Sequence, residues 1–122
     1  MSVVPRKSAK IATATGQNVD RWDNLKKGDV GDALELSGPA ELHVQVAGEY
    51  SGADLLLEGS NETAPGDADW SMVTDTQGLA MIFNAGSNIR HSASTPRWIR
   101  PVVENGDENT LLKMLIAIRS SK

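Results

Sequence analysis

From Gly28 onward the chain alternates apolar and polar positions with period two, and glycine- and asparagine-rich turns break the alternation. Leu34 and Leu36 flank Glu35. Leu42, Val44 and Val46 alternate with His43, Gln45 and Ala47, and Leu55 and Leu57 with Leu56 and Glu58. Gly59 to Asp69 is polar and rich in turn formers, and Asp75-Thr76-Gln77-Gly78 is a second turn. Leu79 to Phe83 is a short apolar run. Leu112, Met114, Ile116 and Ile118 close the chain, with Lys113 and Arg119 on the other parity. The spacing predicts about seven or eight short strands, the rhythm of an all-β sandwich. Asn105-Gly106-Asp107 predicts a hairpin that folds the last strand back on residues 97–104, and Pro101 predicts an edge or a bulge near 100–102.

The fold class expected is therefore all-β, an antiparallel β-sandwich of jelly-roll or immunoglobulin-like form. Its two sheets would bury Leu34, Leu36, Leu42, Val44, Val46, Leu55, Leu57, Ile82, Trp98, Leu112, Met114, Ile116 and Ile118. Ile99 is expected on the face opposite Trp98. The best helical pattern, Val19 to Lys27 with Asn18 in the cap position, offers only one or two turns before Gly28.

The 122 residues fit one domain. Cysteine is absent, which excludes disulfides and thiolate metal sites, and two histidines exclude a His-rich cluster. No apolar run reaches the roughly 18 residues of a membrane span. Met1 to Lys10 lacks the apolar stretch of a secretory signal.

The net charge of −4 is unevenly placed. Residues 1–27 carry Arg6, Lys7, Lys10, Arg21, Lys26 and Lys27 against Asp20 and Asp23, a balance of +4. Residues 28–122 carry six basic and fourteen acidic residues, a balance of −8. The expected organisation is a basic N-terminal arm, 1–27, and a sandwich domain, 28–122. The arm would dock on an acidic neighbour or fray in solvent. Trp22 within it suggests that it packs on something, because a solvated indole is unusual. A sequence pI near 5.1 and no basic run interleaved with aromatics argue against nucleic-acid binding.

Chemistry finds little support. Acids cluster at Glu58, Glu62, Asp67, Asp69 and Asp75, but Trp70 follows Asp67-Ala68-Asp69 where a calcium loop needs Asp or Asn and then Gly. Turn formation explains these residues more simply than calcium or paired-carboxylate catalysis. No nucleophile elbow or phosphate loop is present. His43 is expected on the solvent face of its strand, and His91 in a polar stretch. Asn61-Glu62-Thr63 is a chance match to a glycosylation sequon. The expectation is a protein with no catalytic residue, metal or cofactor. A competing expectation is a carbohydrate-binding module that exposes Trp22, Trp70 or Tyr50.

One stretch carries a resemblance. Val44-Gln45-Val46-Ala47-Gly48 and Gly52-Ala53-Asp54-Leu55-Leu56-Leu57-Glu58-Gly59-Ser60-Asn61 are followed by Trp70, Asp75-Thr76-Gln77-Gly78 and Pro96-Arg97-Trp98-Ile99-Arg100-Pro101, then by a strand ending at Arg119. Over about residues 40–120 this resembles the small β-sandwich structural proteins of tailed bacteriophages, closest to the head decoration or cement proteins. The resemblance implies a virion protein on the capsid exterior that bridges neighbouring major capsid protein subunits and associates with itself, as a trimer about a local threefold, with neither nucleic acid nor membrane as partner. It implies contact residues Arg6, Lys7, Lys10 and Trp22 in the arm. Arg97 and Arg100, set opposite Trp98, would meet an acidic capsid surface. A tail-associated structural protein with the same sandwich is the neighbouring alternative.

Overall fold

In the computed structural model, which describes residues 3–4, 6–10, 18–36, 40–92 and 96–120, period-two alternation becomes two facing sheets. One sheet contains β2 (Arg6–Lys10), β3 (Asn18–Leu25), β6 (Ala40–Glu49), β10 (Asn88–His91) and β12 (Leu111–Ser120), in the order β10-β6-β12-β3-β2. All its pairs are antiparallel. The other follows the order β1-β4-β11-β7-β8, with β1 (Val3–Val4), β4 (Val30–Gly31), β7 (Ala53–Ser60), β8 (Ser71–Met72) and β11 (Trp98–Asn105). Here β5 (Leu34–Glu35) also pairs with β11, and β9 (Ile82–Phe83) with β7. Apart from the short β1–β4 pair, this sheet is antiparallel too. A single 3-10 turn, Asp67–Asp69, is the helical element among the described residues.

The core is the inner face of both sheets. Leu42, Val44 and Val46 of β6 meet Leu112, Met114 and Ile116 of β12 in one layer. Leu55 and Leu57 of β7 with Ile99 and Val103 of β11 form the other. Leu34, Leu36 and Ile118 pack at its margin, half-buried.

Three expectations need correction. The hairpin predicted at 105–107 does not form: β11 and β12 lie in different sheets, and the turn carries the chain from one layer to the other. Asn105 and Gly106 both take positive φ, 60° and 94°, and a Cβ on Gly106 would stand 2.5 Å from Thr110 Oγ1. The Thr110 hydroxyl donates to the Tyr50 carbonyl (2.9 Å) and the Ser51 hydroxyl to Asp107 Oδ1 (2.6 Å). The crossing is thereby tied to Tyr50–Gly52, the connection by which β6 crosses to β7.

Second, the arm boundary at residue 27 cuts through the core. Residues 18–25 form β3, an interior strand between β12 and β2, with Trp22 and Leu25 fully buried. These two residues have opposite parity, so a regular strand would face one of them outward. A bulge resolves this. Leu112 pairs with Leu25 and Met114 with Trp22, so Asp23 and Asn24 together oppose Lys113. Asn24 takes φ 58°, which asparagine tolerates better than most residues. The stretch 19–27 that offered the best helical pattern is thus strand, bent by this bulge. Trp22 Nε1–H donates to the Asp32 carbonyl at 2.9 Å, which satisfies the buried indole.

Third, two inward assignments have the wrong parity. Along β11 the buried positions are Ile99, Pro101 and Val103, while Trp98, Arg100 and Val102 lie half-buried on the other face. Arg100 thus shares the face of Trp98 instead of opposing it. In the run Leu79 to Phe83, Met81 and Phe83 are buried and Ile82 is exposed.

Pro101 is accommodated by an interruption beside it. Val103 N–H donates to the Asp29 carbonyl, so the odd residues of β11 face β4 and β5. Pro101 lies opposite Gly31, the last residue of β4, where the ladder on that side ends before β5 begins. Gly31 permits the close approach: a Cβ there would stand 2.3 Å from Pro101 Cγ and 2.6 Å from Trp22 Cδ1.

Candidate docking surface

Between β8 and β10 the chain leaves and re-enters the seven-stranded sheet, and one ion pair organises this excursion. Asp75 Oδ1 accepts the N–H groups of Gln77 and Leu79, both at 2.9 Å, and Gly78 N–H donates to the Asp75 carbonyl. This is an Asx-type turn, the reason aspartate suits the first position of Asp75-Thr76-Gln77-Gly78. Arg90 of β10 donates to Asp75 Oδ2 through Nε and Nη2. Its remaining donors reach the Ala80 carbonyl (3.0 Å) and the Ile82 carbonyl (3.2 Å), and its guanidinium lies 5.1 Å from the Phe83 ring centre. A side chain from the edge of one sheet thus ties down a loop of the other.

The Arg90 guanidinium, helped by the Leu79 and Gln77 N–H groups, holds the Asp75 carboxyl below its ordinary value of 3.8. A depressed carboxylate contributes stability at pH values above its unfolded pKa, and that contribution is lost as pH falls through the folded value. Asp107, held low by the Ser51 hydroxyl and the Asn109 N–H, adds to the same trend. We therefore expect the melting temperature to fall on acidification below about pH 4. Arg90→Met should flatten the part of that fall due to Asp75, as thermal melts from pH 2 to 6 would measure.

Above this ion pair lies an open groove of about 600 Å³. Its walls include Leu79, Ile82 and Ile89, which are 59%, 40% and 60% exposed. Three aliphatic side chains beside one groove differ from the scattered single apolar residues normal on a surface. Asp75 and Arg90 hold each other and the loop, and the three aliphatic side chains share the groove with Thr76, Gln77 and His91, so its lining is more polar than apolar. Sequence reasoning located the Asp75–Gly78 turn and the run after it. It missed the surface, because Ile89 and Leu79 come together only when β10 closes beside the loop.

The residues singled out from the sequence do not converge. Arg6, Lys7 and Lys10 lie on β2, the edge strand at the far end of the sheet from β10, and their side chains lie outside the described residues. Trp22 has no exposed surface. Arg97 pairs with Glu35 at 2.8 Å on the surface. Arg100 pairs with Glu58 at 3.0 Å and lies 4.1 Å over the Trp70 ring. Both arginines are paired with carboxylates of their own chain, Arg97 at the exposed surface and Arg100 half-buried.

The rings proposed for sugar binding are also engaged. Tyr50 is buried, its hydroxyl donating to the Gly86 carbonyl at 3.0 Å, and burial raises its pKa. Trp70 is half-buried beneath Arg100. In the acidic loop, Asp69 Oδ2 accepts Gly66 N–H and Glu58 holds Arg100. Among the described residues no group of three or more His, Asp or Glu side chains is placed to hold a metal ion. No helix there is long and apolar enough to cross a membrane. Comparison with protein-family models, curated proteins and solved structures finds no match to this chain.

Proposed function

We propose that this chain is a structural protein of a bacteriophage virion that decorates the assembled capsid and bridges neighbouring major capsid protein subunits. The observation that carries the docking part of this reading is the exposed aliphatic flank Leu79, Ile82 and Ile89 beside a groove whose charges are internally paired. Such a surface suits adhesion to another protein better than turnover of a small molecule. The capsid as partner comes from the sequence resemblance over residues 40–120. A rigid two-sheet body suits the role, since many weak contacts repeated over a symmetric shell sum to a large stabilisation. The carbohydrate-binding alternative keeps only Trp70 as a platform, and Arg100 covers that ring.

The test is co-sedimentation of the purified protein with expanded shells of the major capsid protein encoded beside its gene. Binding is expected, with a rise in the temperature at which shells rupture. Leu79→Asp and Ile89→Asp, both at exposed positions, should each weaken binding by more than tenfold while the free protein melts normally. Shells that rupture at the same temperature with and without the protein defeat the capsid reading. Undiminished binding by both variants defeats the assignment of the groove.

A further inference from the structure

The chain contains two histidines, and the fold places them face to face. His43 is on β6, His91 directly opposite on the edge strand β10, and their ring centres are 4.1 Å apart with planes inclined by 60°. The neighbouring Ser92 donates its N–H to the Leu42 carbonyl, so hydrogen bonding runs through the 92–42 pair. The 91–43 pair is accordingly of the non-hydrogen-bonded kind, in which opposing side chains approach most closely. Both rings lie on the outer face, His43 half-buried and His91 exposed, with His91 also lining the groove. Glu41 adds a carboxylate whose Oε2 is 3.7 Å from His43 Nε2.

We propose that His43 and His91 are a two-imidazole site for a divalent transition ion of the copper(II) and zinc class. Metal–imidazole nitrogen bonds of about 2.0–2.1 Å place two nitrogens sharing an ion about 3 Å apart. The ring centres of two imidazoles sharing an ion stand about 4.5–5 Å apart, so rings now 4.1 Å apart would have to open slightly by side-chain rotation to receive one. Imidazole is a ligand of choice for copper and zinc, and water completes the coordination. Glu41 contributes negative charge that favours a cation at this edge of the sheet. A bound ion would clamp β10 to β6, and so fasten the strand that carries Ile89 and Arg90.

The probes are copper(II) and zinc chlorides, titrated into the whole protein by calorimetry at neutral pH, with magnesium chloride as control. One ion per chain is expected, copper(II) tighter than zinc and magnesium silent. His43→Asn and His91→Asn should each weaken binding at least tenfold, because each destroys the chelate. Copper(II) bound to the unaltered protein should show two nitrogen couplings by electron paramagnetic resonance. Wild-type affinity in either variant, two independent ions per chain, or no saturable binding below about 1 mM overturns the site. Circular dichroism of both variants confirms the fold, which surface positions on paired strands should leave intact.

Discussion

Trp22→Ala should destabilise the protein by about 3–5 kcal/mol, the cost of truncating a large aromatic in a close-packed interior. Trp22 is fully buried among the residues of the central cluster, and its indole N–H is hydrogen-bonded to Asp32. The truncation would leave that carbonyl without its donor and open a cavity against Gly31 and Pro101. A domain of ordinary stability, about 5–15 kcal/mol, loses a large share of it. Urea denaturation followed by tryptophan fluorescence from the remaining indoles, or by circular dichroism, measures the loss. Deleting residues 1–27 should go further and abolish cooperative folding, since it removes β3 and with it Trp22 and Leu25. A truncated protein that melts as sharply as the full chain would restore the separable arm.

That contrast shows where the sequence was informative and where it was silent. β6 and β12 were legible because Glu41, His43 and Gln45 mark the outward parity of the first, and Lys113 and Arg119 that of the second, even though Leu111, Leu115 and Ala117 share it. Parity was lost wherever that marking failed. Leu79 to Phe83 has no polar residue within it, so nothing reveals that Met81 and Phe83 point inward and Ile82 outward. Trp22 and Leu25 obey no single parity because a bulge intervenes, and a bulge leaves only Asn24 as a local sign. The 105–110 crossing used a dipeptide common in hairpins. Its partners at Tyr50 and Ser51 are distant in sequence and could not be anticipated. The groove depends on the Asp75–Arg90 pair, a contact between separate sheets that local pattern does not encode. The same holds for the meeting of His43 and His91.

Ile116→Asp should leave the chain unfolded at neutral pH, whereas Leu115→Asp, one residue away, should fold. Ile116 has no exposed surface and lies between Val44 of β6 and Asp20 of β3 in register, facing the opposite sheet. Losing its side-chain burial costs about 2–5 kcal/mol. An ionised carboxylate in its place adds several more, since it would stand in register with the buried Asp20. Together these match or exceed the whole stability of a domain this size. Leu115 points the other way and is only half-buried, so its carboxylate keeps water on one side. Burial raises the pKa of an introduced aspartate, so its penalty applies in full above the folded value and is relieved as pH falls to the unfolded one. Ile116→Asp should therefore recover structure relative to the wild type on acidification, the reverse of the trend set by Asp75. Circular dichroism of both variants at pH 7 and pH 4 separates these outcomes. A normally folded Ile116→Asp protein at pH 7 would mean that even positions of β12 do not face the interior.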